Sequence, residues 1–197
     1  MKTIINSKWF IWGLLALPAL PMTLGYAGGG ADAMEMLHPT GEFSVRFMVL
    51  AMMIGPLADI FGSRRWIRWL LARRRWMGVA AFAYAVAHLV FYVIDMGALG
   101  DILAELGEHG IWTGWAAFVL MGALALTSTD SAMHALARNW KRLQRLAYPA
   151  AVLAILHWGL LTWEWAPAAV HFGPLVLLNL VRLAKQRGLP IRKEIAT

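Results

Sequence analysis

Apolar residues run almost unbroken over six stretches, roughly 9 to 26, 43 to 61, 76 to 94, 111 to 128, 146 to 163 and 168 to 184, with charged residues gathered between them. At ~1.5 Å of rise per residue, each is about long enough for a helix to cross a ~30 Å hydrocarbon core, the last only if nearly upright. After the fourth stretch, "DSAMHALARNWKR" predicts a short amphipathic interfacial helix near 130 to 142, capped by Thr129 or Asp130. The pattern predicts an all-α membrane protein: a six-transmembrane-helix bundle, with residues 1-197 forming one domain and lipid against its outward faces. No nucleotide loop, long linker or internal repeat interrupts it.

Composition sharpens this. Of 197 residues 60% are hydrophobic and 15% charged, whereas a soluble domain carries about a quarter charged residues. The chain has no cysteine, which excludes iron–sulfur clusters and thiolate-bound haem and leaves histidine or oxygen as ligands for any tightly held metal. The 18 Lys and Arg outnumber the 11 Asp and Glu, yet they are sorted by loop rather than collected on a soluble face, so nucleic acid is not the expected partner.

The sorting predicts orientation. "SRRWIRWLLARRR" (63 to 75) places six arginines between the second and third stretches. Arg138, Lys141, Arg142 and Arg145 follow the fourth, and Arg182, Lys185, Arg187, Arg192 and Lys193 follow the sixth. The other loops carry Asp32, Glu35, Glu42, Asp101, Glu105, Glu108 and Glu164, with Arg46 the one base near them. By the positive-inside rule both termini are expected in the cytoplasm. A cleavable signal peptide is the rival reading of the first stretch, since Lys2 and Lys8 precede it, but an apolar core of about 18 residues is long for one.

Two histidines interrupt the apolar runs: His88 in "FAYAVAHLVFY" and His157 in "YPAAVLAILHWGLLTW". His88 lies thirteen residues past Arg75 and His157 twelve past Arg145, on helices expected to run in the same direction. Both imidazoles are therefore placed roughly 18 to 20 Å from the inner charged edge, beyond the midplane. A polar ring at that depth is costly unless it faces the bundle interior and finds a partner. Two neutral imidazoles from separate helices at one level meet the requirement for axial ligation of a haem iron. Ala81, Ala85, Ala150 and Ala154 nearby leave room for a flat macrocycle, while Tyr84, Phe91 and Tyr92 supply aromatic packing. The plainer alternative is that each ring hydrogen-bonds a neighbouring helix and does nothing more.

The remaining histidines are weaker candidates. His38 opens "HPTGEF", read as a turn and cap at the outer mouth of the second helix, where a quinone or haem-propionate contact competes with an ordinary interfacial role. His109 is assigned to a loop and His134 to the interfacial helix, and solvation accounts for both. His171 is read as opening the sixth helix with no matching partner.

"HPTGEFSVRFMVLAMMIGPLAD", "RRRWMGVAAFAYAVAHLVFYV" and "LALTSTDSAMHALARNWKRLQRLAYPAAVLAILHW", in this order and with the six-helix layout, resemble the MsrQ family. That family is the haem-binding membrane subunit of the periplasmic methionine sulfoxide reductase system, within the ferric reductase-like transmembrane superfamily. The likeness runs from about residue 36 to 185. It implies an electron-transfer subunit of the bacterial inner membrane, without a substrate-reducing site of its own. Electrons would come from quinol, through the quinone pool, or from a cytoplasmic flavin reductase. They would pass through haem b to a molybdopterin-containing periplasmic subunit that repairs oxidised proteins, and FMN is also implied as a cofactor. His88 and His157 match the family's haem histidines.

One departure concerns the haem count. Many members read "LHRLVY" where this chain reads "LQRLAY", with Gln144 in place of a histidine. In two-haem relatives the second ligand pair lies about thirteen residues nearer the cytoplasm, which here falls at Arg74 or Arg75 and at Gln144. One haem is therefore expected, with a second carrier on the cytoplasmic side and the arginines of 64 to 75 available to a flavin phosphate or a haem propionate. A ferric or cupric-chelate reductase of the same superfamily, and a non-redox membrane protein, are the alternative functions.

Overall fold

The computed structural model describes residues 6–187, so Lys2, Arg192 and Lys193 of the charge pattern lie outside the described residues. The helices are α1 (Lys8–Ala16), α2 (Ala19–Ala27), α3 (Ala33–Phe61), α4 (Arg65–Leu71), α5 (Arg74–Met96), α6 (Leu99–Glu105), α7 (His109–Leu126), α8 (Asp130–Leu136), α9 (Arg138–Gln144), α10 (Ala147–Thr162) and α11 (Trp165–Gln186); no strand occurs among the described residues. By length and composition α3, α5, α7, the α9–α10 run and α11 can each cross a membrane, and α1 with α2 makes a sixth span if the pair is counted as one, bent by 51°. The protein is a multi-pass helical membrane protein. Proline explains the bend in the first span: Pro18 has no N–H to continue the backbone ladder, and α2 restarts immediately after it.

The largest difference from expectation is α3, which begins ten residues before its apolar run. Asp32 caps it, accepting from the Glu35 amide at 2.8 Å while the Glu35 carboxylate reaches back to the Asp32 amide at 3.3 Å. That reciprocal pair is a capping box. His38, Pro39, Thr40 and Gly41 are therefore helical rather than a turn and cap, and the Thr40 hydroxyl donates back to Met36 O at 2.6 Å. The interfacial helix expected over 130 to 142 is two helices, α8 and α9, divided at Ala137 with φ of 45°. Thr129 is its cap, accepting from the Ala132 amide at 3.1 Å, and the Trp140 indole donates to Thr127 O at 2.9 Å, folding α9 back toward the end of α7. His109 begins α7 instead of lying in a loop. His171 lies inside α11 instead of opening it. The sequence reading also did not anticipate α4, built from the arginine-rich loop, or α6 in the acidic loop.

Two helix pairs organise the bundle: α3 lies along α5, α7 lies along α10, and α11 closes against α3. Their shared core contains Val45, Met48, Met52, Ala81, Met121, Ala150 and Phe172. Ala81 and Ala150 are almost fully buried, and such small side chains let helix backbones approach where no hydrophobic force drives helix from helix in lipid. Ser44 donates to Ala81 O at 2.9 Å across the α3–α5 contact. Leu50, Val119, Val152 and Leu177 point outward, an apolar surface suited to lipid. At the end of the bundle where α5 begins, Arg182 meets Asp59 at 2.7 Å and Arg75 meets Asp130.

Candidate functional site

The structure brings His88 of α5 and His157 of α10 together. Their ring centroids are 6.1 Å apart with the planes at 89°. Each ring is held by a backbone carbonyl of the neighbouring helix: His88 Nδ1 donates to Leu37 O at 2.9 Å and His157 Nδ1 to Gly110 O at 2.8 Å. A donor at Nδ1 fixes the tautomer and leaves the lone pair on Nε2, the arrangement of most metal-ligating histidines. Neither Nε2 has a hydrogen-bond partner among the described residues. The plainer alternative, hydrogen bonding to a neighbouring helix, accounts for one nitrogen of each ring and not for the other.

The spacing fits a single iron between the rings. An imidazole nitrogen binds a first-row metal at about 2 Å, and its ring centroid lies ~1 Å farther out, so two trans ligands place their centroids about 6 Å apart. Among the described residues no three His, Cys, Asp or Glu side chains converge on one point. The donor set is thus two imidazoles, which suits a metal whose other coordination sites are filled by a macrocycle rather than by protein.

A second feature lies on the side of the bundle where α5 and α10 begin. A cavity of 530 Å³ is lined by Arg74, Arg75, Lys141, Gln144 and Arg145 on its polar side and by Met48, Met52, Ala81 and Met121 on its apolar side. Arg74 and Arg75 open α5 and Gln144 ends α9, and the structure gathers all three on one cavity. Its upper wall reaches Ala81, seven residues or ~10 Å along α5 from His88.

The His38 ring meets Trp158 edge-on, with centroids 6.0 Å apart. Trp158 also packs on His171, at 5.1 Å. His171, expected to have no matching ligand, is engaged at both ring nitrogens: Nδ1 donates to Pro167 O at 2.7 Å, and Nε2 accepts from Arg46 Nε at 3.2 Å and lies 3.2 Å from Glu42 Oε1, while Arg46 and Glu42 pair at 2.6 Å. His109 and His134 are exposed, as solvation requires. Asp32 and Glu35 are engaged in capping α3, and Glu105 accepts from the Tyr92 hydroxyl at 3.0 Å, so several outer acids have structural partners.

A family model described as ferric reductase like transmembrane component matches residues 40–155, which include His88 and stop two residues before His157. The protein-methionine-sulfoxide reductase heme-binding subunit MsrQ of Xanthomonas euvesicatoria is 38% identical over 160 residues, covering 76% of this chain and 72% of the relative. The chain belongs to the MsrQ family. A more distant relative of the same name, from Brucella anthropi, is 31% identical over 194 residues, covering 93% of this chain and 86% of its own length. No solved structure matches. In this MsrQ-family chain the sequence reading found the two imidazoles but missed what holds them: the carbonyls of Leu37 and Gly110 and the Thr-Gly pairs beside them. The signal was present as a dipeptide, Thr40-Gly41 and Thr113-Gly114, within the first turns of the helix that faces each histidine.

Proposed function

We propose that this chain is the haem-bearing membrane subunit of a protein-methionine-sulfoxide reductase, and that His88 and His157 are the axial ligands of one b-type haem. The observation that carries this reading is the pair of imidazoles from different helices, each pinned through Nδ1 and separated by 6.1 Å. A haem held by two histidines supplies reversible one-electron transfer and leaves no coordination position open to substrate. The work of the protein is then to orient the two rings, exclude water with the surrounding Met and Ala side chains, and provide a second carrier site nearer the donor.

The 530 Å³ cavity is that carrier site in our reading. Its apolar wall of methionines suits an isoalloxazine or quinol ring, and Arg74, Lys141 and Arg145 supply cations for a phosphate, so FMN fits it best and quinol second. The arginine-rich end is assigned to the cytoplasm, together with both termini, and the membrane to the bacterial inner membrane. Electrons enter from quinol or a flavin reductase and leave at the opposite face, toward a periplasmic molybdopterin-containing subunit. There two electrons and two protons convert methionine sulfoxide to methionine and water. This chain has no part in that step.

Purified membranes should give a low-spin b-type spectrum that His88→Ala or His157→Ala abolishes and that His109→Ala and His134→Ala leave intact. Unchanged haem content in either of the first two variants refutes the ligand assignment. With a quinol or flavin donor, sulfoxide reduction should require the molybdenum subunit. Turnover by this chain alone refutes the division of labour, and a haem not re-oxidised by partner and substrate returns the function to a metal-chelate reductase.

A further inference from the structure

We propose that Thr40-Gly41 and Thr113-Gly114 are two copies of one positioning device, each of which sets the rotation and donor strength of one histidine; this rests on the bis-histidine reading above. The two sites share a register. In α3, Leu37 O accepts from His88 Nδ1 at 2.9 Å and from Thr40 Oγ1 at 3.1 Å, and Gly41 follows one residue later. In α7, Gly110 O accepts from His157 Nδ1 at 2.8 Å and from Thr113 Oγ1 at 2.7 Å, and Gly114 follows. An acceptor at position i, a hydroxyl at i+3 and a glycine at i+4 thus meet an imidazole twice, on two different helix pairs.

The glycines are where the ring lies. A Cβ at Gly41 would sit 3.1 Å from His88 Nδ1, and one at Gly114 would sit 2.5 Å from His157 Nδ1 and 2.6 Å from its Cε1. Neither ring keeps its place if a methyl group is added, and at Gly114 the overlap is the more severe.

Ordinary helix chemistry does not account for the coincidence. Threonine commonly bonds back to its own helix, as Thr23, Thr127 and Thr162 do here, but none of those three is followed by glycine and none shares its acceptor with an imidazole. Thr40-Gly41 and Thr113-Gly114 are the only Thr-Gly dipeptides in the chain, and both fall against the two histidines. The consequences are two. Glycine lets the ring lie flat enough against the helix for Nδ1–H to reach the carbonyl, which fixes the 89° between the ring planes. The threonine hydroxyl shares that carbonyl and so limits how strongly it accepts from Nδ1–H, which in turn limits how much electron density Nε2 carries.

The test uses the full-length chain purified with its native haem. Gly114→Ala should lose haem about tenfold or more, the range for removing the support of a metal ligand, and the haem that remains should show altered g-anisotropy in its low-spin ferric EPR spectrum. Gly41→Ala should alter the spectrum with less loss. Gly122→Ala on the same helix as Gly114, where a Cβ makes an ordinary 3.4 Å contact with Phe82, and Gly13→Ala, where it meets nothing within 4 Å, should leave haem content and EPR unchanged. If Gly114→Ala fails to fold, the isosteric Thr113→Val decides: haem is kept, its midpoint potential falls because Gly110 O is left wholly to His157, and Thr113→Ser restores the original value. Wild-type EPR and potential in Gly114→Ala and Thr113→Val, or equal changes in the control glycines, overturn the proposal. Absence of haem from the wild-type chain, or its retention after His88→Ala, overturns the underlying reading instead.

Discussion

Replacing Arg74 with glutamine should weaken FMN binding to the inner cavity while leaving riboflavin binding almost unchanged. The guanidinium lines the cavity together with Lys141 and Arg145, and no acidic partner engages it among the described residues. A hydrogen bond to a charged group contributes about 1.5 to 3 kcal/mol; Arg74 is exposed, so the low end applies, roughly a tenfold rise in Kd. Arg75 lines the same cavity but is already paired with Asp130, and Arg75→Gln should therefore cost less. Fluorescence titration of each flavin against the two variants and the parent measures all six affinities. Riboflavin has the same ring and no phosphate, so the contrast isolates the anion contact from ring packing. An equal loss of both flavins would refute a phosphate role for Arg74, and failure of either flavin to bind the parent would remove FMN from the cavity.

Three further outcomes follow from particular contacts. Reporter fusions after residue 30, near 105 and near 166 should report the periplasm, and fusions near 70, near 138 and at the C-terminus the cytoplasm; a periplasmic C-terminus would invert the placement of both sites. Arg73 is buried, bonded to Asn6 Oδ1 at 2.8 Å and Trp69 O at 2.9 Å and stacked 4.1 Å from the Trp69 ring. Arg73→Ala should lower thermal stability in detergent by about 2 kcal/mol, and Arg73→Lys should not restore it, because an ammonium cannot make the planar contacts. Ser44→Ala, which removes the bond to Ala81 O, should cost about 0.6 to 1.5 kcal/mol in the same melt and leave the haem spectrum unchanged.

The legible part of this molecule was what period, length and charge encode. Five of the apolar runs return as helices long enough to span a bilayer and the first as a bent pair, because a bilayer imposes one length on every crossing, and counting along helices that start at charged ends predicted that His88 and His157 lie at one level. The structure then set the two ring centroids 6.1 Å apart with their planes at 89°, which counting does not specify. Helix ends outside the bilayer were less legible. The start of α3 was missed because Asp32 and Glu35 are polar and hydropathy stops at the first charge, although Asp-x-x-Glu is itself a helix-start signal. Pro39 reinforced the error by reading as a turn, yet proline is tolerated in a membrane helix where neighbouring groups satisfy the freed backbone. The contacts of His171 with Glu42 and Arg46 were not legible because those residues lie 125 or more positions away in sequence and only the packing of α11 on α3 joins them.

Polar groups inside the bundle follow one rule that gives the imidazole pair its meaning. A side chain that cannot reach water must bond to something, and the hydroxyls of Thr40, Ser44, Tyr84 and Thr113 all donate to backbone carbonyls. His88 and His157 follow the same rule through Nδ1, each bonded to a backbone carbonyl, and no hydrogen bond engages either Nε2 among the described residues. In the bis-histidine reading proposed here, a metal would take up both Nε2 lone pairs, and a macrocycle would supply the rest of its coordination. In the same reading, the cavity where α5 and α10 begin offers Arg74, Arg75, Lys141 and Arg145 to an anionic tail and Met48, Met52 and Met121 to an apolar ring.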